Sequence, residues 1–328
     1  MEMFTNEPEE TPVPPVTYPF MEFATEVLSK WASFFIVAIG IVGNTMSLLI
    51  TTKKDNRRIS TCVYMTALAS VDTVVLINEF VHAILSKFPD VWKVMESSWV
   101  YLGCSWYFAD VFAISSGLIL AQMSIDRAIA VTYPMKASSI CTASRAAKIT
   151  IVSCIFEMCF HIQTFFYYKL PDIPNGVIIL DYPNARWVET YYNVYLLIFG
   201  TIAPFSILVV CNTVIIFGIR KAAKERRRMK SMPTKTAKEP NLTTMLLMTS
   251  SFYLACSCPK RIYDNLTGYD LTNAYWSARY WLQWWVCNEL WLLNFAINFY
   301  LYFLGGGRKF RRDAIYIFKI LCSKRIEQ

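Results

Sequence analysis

Residues 99–133 read WVYLGCSWYFADVFAISSGLILAQMSIDRAIAVTY, and from Trp99 to Ile125 the one charged side chain is Asp110. About 20 apolar residues in a helix cross the ~30 Å hydrocarbon core of a bilayer. The stretch therefore reads as a membrane-spanning helix that ends on a charged pair, Asp126-Arg127. Further apolar stretches lie on either side of it, at roughly 28–52, 60–86, 147–168, 189–220, 241–267 and 280–304. A basic amphipathic stretch follows at 307–321. The expected fold is an all-α membrane protein, a seven-helix bundle with a short amphipathic eighth helix.

Composition agrees. The 328 residues are 55% hydrophobic and 16% aromatic, in long unbroken runs rather than short periodic elements. Almost all of the chain is used in or beside the bilayer, which leaves no room for a soluble catalytic domain. Three segments are expected: 1–27 as a disordered, acidic and proline-rich extracellular N-terminus, 28–304 as the membrane domain, and 305–328 as a cytoplasmic amphipathic helix and tail. Basic residues gather on alternate loops: Lys53, Lys54, Arg57 and Arg58, then Arg145 and Lys148, then 220–230, then Arg308 to Arg312. The positive-inside rule puts those loops in the cytoplasm and the N-terminus outside. The net charge of +8 is thus a topology signal spread over membrane flanks, which argues against nucleic-acid binding. The opening residues lack the basic and apolar regions of a signal peptide. No internal repeat of the transporter kind is visible. The ten cysteines show no zinc-ligand spacing.

Most of the apolar stretches carry a polar residue out of place: Asn44, Asp72, Asp126-Arg127, Glu157, Asn212, Arg261, and Asn294 with Asn298. Such groups are expensive inside a membrane and mark functional positions. Glu157 and His161 share a helix face, four residues apart, as either a structural pair or a proton relay.

The motifs fall in the order of a known family. Gly40-Ile-Val-Gly-Asn44, Leu68-Ala-Ser-Val-Asp72, Asp126-Arg127-Ala128, Pro204, Pro259 and Asn298-Phe-Tyr-Leu-Tyr302 lie on successive spans, and Gly307-Arg-Lys-Phe-Arg-Arg312 follows. This chain resembles a class A (rhodopsin-like) G-protein-coupled receptor over about residues 28–322. Met245-Leu-Leu247, Pro259-Lys-Arg261 and the run from Asn298 to Arg312 resemble invertebrate neuropeptide receptors of the FMRFamide type. There are departures. Ser257 stands where the family has tryptophan, Phe299 where it has proline, and Asn212 where it has tyrosine. Residues 169–188 contain no cysteine to pair with Cys104, so the family's usual disulfide is not expected.

The resemblance implies roles. Arg127, held by Asp126 and by Glu239 on the sixth span, would be a switch toward a heterotrimeric G protein, with Asn298 and Tyr302 in the same relay. Asp72, Ser116, Asn294 and Asn298 resemble a sodium site, and oxygen-only ligands suit a hard cation; a water-filled hydrogen-bond network is the other reading. Glu79, Asp110, Arg261, Trp284, Asn288 and Glu289 would line an outer pocket for an extracellular ligand, a small charged peptide. Several of the nearby tryptophans also suit an interfacial aromatic belt. Asn265 is an outward sequon for glycosylation. Cys322, beside the basic amphipathic stretch, is a palmitoylation candidate or an unmodified cysteine. Apart from that allosteric sodium ion no cofactor is implied, and no catalytic set is present. The rival readings are a chemosensory receptor of the same fold for small molecules, and a membrane transporter. The location implied is the plasma membrane.

Overall fold

The computed structural model describes residues 18–85, 87–96, 98–164, 191, 194–228, 240–266 and 274–323. Helices α1 (Pro19–Val27) and α2 (Ser33–Thr51) flank a π-helical turn at Leu28–Ala32 and together form the first span. Helix α3 (Ser60–Leu85) is the second span and α4 (Pro89–Glu96) an outer connection. Helix α5 (Trp99–Thr132) is the third, and α6 (Pro134–Ile140) lies in the loop after it. The fourth is α7 (Ala143–Phe160), extended by a 3₁₀ turn at His161–Gln163. The fifth is a π turn at Ile198–Ile202 followed by α8 (Ala203–Arg228). The sixth and seventh are α9 (Pro240–Leu266) and α10 (Ala274–Gly305), and α11 (Gly307–Ser323) closes the series.

One boundary needs correction. Pro19–Val27 is helical rather than part of a disordered N-terminus. Proline at the first helical position, with Glu22 in the first turn, begins the helix. Five helices among the described residues are long and apolar enough to cross a bilayer by themselves, and up to six if α10 and α11 count as one bent span. Helix α9 spans 27 residues but carries Lys260, Arg261 and a run of Ser and Thr.

The bundle is inside out relative to a water-soluble protein. Val152, Phe217 and Val42 are 66%, 63% and 61% exposed, whereas Asn44 and Asp72 are fully buried. Apolar side chains face the lipid, and polar ones are enclosed where backbone and side chains can satisfy them. Small residues let the helices approach. A Cβ on Gly40 would come within 2.6 Å of Leu76 and 2.8 Å of Ala296, so the first span meets the second and seventh at that glycine. Asn44 Nδ2 then donates to the Phe295 carbonyl at 3.1 Å.

The chain turns sharply after the seventh span, α11 lying at 118° to it. Gly307 has φ of 70°, a left-handed conformation that glycine takes without a steric cost. Phe310, Ala314 and Ile317 face the bundle, while Arg311 and Arg312 face outward. Lys309 Nζ donates to Asn56 Oδ1 at 2.9 Å and Lys53 pairs with Asp313 at 3.5 Å, tying α11 to the first inner loop.

Candidate functional site

Three polar centres lie along the axis of the bundle. The inner one begins where α5 ends. Arg127 and Asp126 are each 8% exposed, and Arg127 Nη2 meets Asp126 Oδ2 at 2.9 Å. Ser60, at the start of α3, completes the clasp. Its hydroxyl donates to Asp126 Oδ2 at 2.9 Å and accepts from Arg127 Nη2 at 3.1 Å. Arg127 Nε is buried without a hydrogen-bond partner among the described residues. Cys141 Sγ donates to the Asp126 carbonyl at 3.4 Å. Burial and the neighbouring carboxylate push this loop thiol up to about 11, so it keeps its proton at neutral pH. Ile59 and Thr142 form an antiparallel bridge that holds the first and second inner loops together. Glu239, the expected second partner of Arg127, lies outside the described residues. Ser60 was not anticipated, since a serine at a helix start reads as an ordinary cap.

The middle centre is Asp72. Ser116 donates to its Oδ1 at 2.6 Å and Asn298 Nδ2 to its Oδ2 at 2.7 Å. This joins the second, third and seventh spans. Asn294 is buried but makes no hydrogen bond to Asp72 among the described residues. Tyr302, one turn below Asn298, is 1% exposed, and its hydroxyl has no hydrogen-bond partner among the described residues. The donors to a cation here would be the Asp72 carboxylate and the Ser116 hydroxyl, all oxygen. Asn212, where the family has tyrosine, accepts at 2.9 Å from Ser250 on the sixth span.

The outer centre gathers four of the six expected pocket residues. Glu289 is 6% exposed; its Oε1 accepts from Ser33 Oγ at 2.6 Å and its Oε2 has no hydrogen-bond partner among the described residues. Glu79 is close enough to feel the charges of Glu289 and Lys260. Lys260 Nζ sits 4.4 Å from the centre of the Trp284 ring, a cation–π contact. Asn288 is buried beside Glu289 in sequence. The other two diverge. Arg261 reaches the fifth span, its Nη2 being 3.8 Å from where a Cβ of Gly200 would stand. Asp110 instead lies close enough to His161 of the fourth span to act on it electrostatically.

A lateral centre was only half anticipated. Glu157 and His161 pair as expected, Nδ1 to Oε2 at 3.5 Å. Tyr195 of the fifth span also donates to Glu157 Oε2 at 2.7 Å. Asn265 and Cys322 lie in α9 and α11, but their side chains are outside the described set, as is all of 169–188. Cys104 is free.

The family model of the seven-transmembrane receptor (rhodopsin family) matches residues 43–312, from the Gly43-Asn44 packing to the basic start of α11. The chain belongs to the rhodopsin family of seven-transmembrane receptors. Among its relatives, a FMRFamide receptor of Drosophila melanogaster is 27% identical over 298 residues, covering 85% of this chain and 52% of that protein. The FMRFamide peptide receptor frpr-18 of Caenorhabditis elegans is 22% identical over 315 residues, 91% of this chain and 71% of that one. A thyrotropin-releasing hormone receptor of Mus musculus is 31% identical over 173 residues, 50% and 42% of the two chains. The receptor spans about half the length of the Drosophila relative. As a rhodopsin-family receptor it is a multi-pass membrane protein.

Proposed function

We propose that this receptor sits in the plasma membrane with its N-terminus outside, binds a small extracellular peptide, and signals to a heterotrimeric G protein. The inner clasp carries the reading. A buried arginine held by one carboxylate and one serine hydroxyl, with a further N–H that has no partner among the described residues, suits an element with two arrangements. Ligand binding shifts the population toward the arrangement that exposes Arg127. The basic segment 220–238 contributes to the G-protein contact. The outer cluster, with carboxylates at Glu79 and Glu289, the Lys260 cation and the ring of Trp284, suits a short charged peptide better than a lipid. Two FMRFamide receptors and a thyrotropin-releasing hormone receptor among the relatives support a peptide ligand.

At the midplane, Asp72 and Ser116, with Asn294 and Asn298 beside them, would hold a sodium ion. The ion would favour the closed state by neutralising the buried carboxylate.

Expression in cultured cells and screening against an amidated-peptide library, with calcium and cAMP readouts, tests the ligand class. A peptide hit that loses its effect in Arg127→Ala at equal surface amount supports the reading. Activation by small environmental molecules and by no peptide refutes it and leaves the chemosensory alternative.

A further inference from the structure

Two acidic side chains on different spans stand at nearly the same level. Glu79 lies seven residues beyond Asp72 on α3, about 10 Å along the helix at 1.5 Å per residue. Glu289 lies nine residues before Asn298 on α10, about 14 Å along it. Asn298 Nδ2 and Asp72 Oδ2 meet at 2.7 Å, which fixes the two helices against each other. Both offsets run away from the inner clasp, which sits at the Ser60 end of α3.

The oxygens of Glu289 are used unequally. The side chain is more than nine-tenths buried. Ser33 Oγ donates to Oε1 at 2.6 Å and so fixes the carboxylate, while Oε2 has no hydrogen-bond partner among the described residues. Ser33 follows directly on the π turn Leu28–Ala32, and its own N–H closes that turn on the Leu28 carbonyl. A π turn adds a residue to the helix and so changes which side chains face the bundle. The neighbouring charge that acts on Glu289 is a second carboxylate, Glu79. Glu79 is half-buried and also feels Lys260, whose ammonium sits over the Trp284 ring at 4.4 Å. From the third span, Tyr101 brings a buried hydroxyl without a hydrogen-bond partner among the described residues, close enough to Glu79 to feel its charge.

An ionised carboxylate oxygen only accepts. Left buried without a donor, it keeps the cost of its lost hydration until a donor arrives. The complementary group carries positive charge and more than one N–H. A guanidinium has five such donors in a plane and an ammonium has three. Either can give one hydrogen to Glu289 Oε2 and another to Glu79, and charge-assisted hydrogen bonds are the strong ones. An anionic group at this place would meet two carboxylates.

We propose that Glu79 and Glu289 form a cation-binding subsite that takes a guanidinium or ammonium group of the extracellular ligand, with the Tyr101 hydroxyl as a third contact. The subsite rests on the outer cavity being the ligand pocket, and it specifies the chemistry of one end of that ligand. A basic side chain and a free N-terminus of a peptide offer the same charge and donors, so both are sources of the group. Glu289→Gln keeps an oxygen for Ser33 and the shape of the side chain, but removes the charge that holds the cation.

The test is thermal melting of the full-length receptor in lipid nanodiscs with about 50 mM of a small probe, at constant ionic strength set by sodium chloride. N-acetyl-arginine amide carries the guanidinium, and N-acetyl-citrulline amide is its neutral isostere. Alanine amide carries the ammonium, and N-acetyl-alanine amide is its neutral counterpart. At least one cation is expected to raise the wild-type melting temperature by about 2 °C or more above its neutral counterpart. That gain is expected to be lost in Glu289→Gln. Which cation gives it tells a side-chain source from a terminal one. No gain from either cation overturns the proposal, and so does a gain that Glu289→Gln keeps. Should Glu289→Gln fail to fold, Glu79→Gln decides: the gain is expected to be lost there too, and its survival overturns the proposal. No library peptide or G protein takes part. The subsite therefore fails here without touching a peptide hit from the library screen, and a screen without a peptide hit does not undo a gain seen here.

Discussion

Ser60→Ala is the sharpest probe of the inner clasp. The serine is 3% exposed, and alanine removes its hydroxyl with almost no change of shape. Two hydrogen bonds to charged groups go with it, at 2.9 and 3.1 Å. Each contributes about 1.5–3 kcal/mol net. The direct Arg127–Asp126 contact at 2.9 Å survives, and part of the loss is shared by the open state. A differential of about 1.5 kcal/mol remains, roughly tenfold in the equilibrium between closed and open inner faces. If the open state is ~1% populated at rest, the variant raises it to about 10%. Basal G-protein activation, read by an energy-transfer biosensor and normalised to surface receptor, should rise several-fold. Unaltered basal activity at equal surface amount would refute the view that this hydroxyl holds the receptor closed.

Four other outcomes are expected. An N-terminal tag should stain on intact cells and a C-terminal tag only after permeabilisation; the opposite pattern removes the receptor reading. Arg261→Ala should weaken agonist potency about 10-fold or more with surface expression kept, since a charge-assisted hydrogen bond contributes roughly 1.5–3 kcal/mol; a folding defect would show instead that the guanidinium is structural. Replacing sodium by choline should lower the melting temperature of the purified receptor, and Asp72→Asn should abolish that difference; a difference that persists in the variant sinks the sodium assignment. Gly40→Leu should prevent surface delivery, because even a Cβ would stand 2.6 Å from Leu76, whereas Gly200→Ala, whose nearest neighbour would be 3.5 Å away, should be tolerated.

What the sequence disclosed depended on whether a residue's role is local. The long apolar runs and the intrusions at Asp72, Arg127 and Asn298 are one-dimensional signals, and the structure joins two of these, Asp72 and Asn298, directly. The helical start at Pro19 was also readable, from proline at the first position and Glu22 in the first turn. It went unread because Glu22 and Glu26 interrupt the apolar pattern. Ser60 and Tyr195 could not be found this way. Each acts on a partner in another span, 66 and 38 residues distant, and no local spacing encodes such a contact. Arg261 is the intermediate case. Its need for an anion was legible, but the direction of a long side chain beside Pro259 depends on the room that Gly200 leaves.

The seventh span has a mechanical consequence of its own. Where the family's motif has a proline that would break the helical ladder, Phe299 supplies an N–H, and α10 runs unbroken from Ala274 to Gly305. The Phe295 carbonyl is therefore shared between this helix and Asn44 rather than left open by a missing donor. A strut without a soft point moves as one piece. At its foot Gly305, Gly306 and Gly307 join it to α11, and the left-handed Gly307 makes the turn. A rearrangement at the outer end of this span then reaches the inner face at nearly full amplitude, with little absorbed along the way.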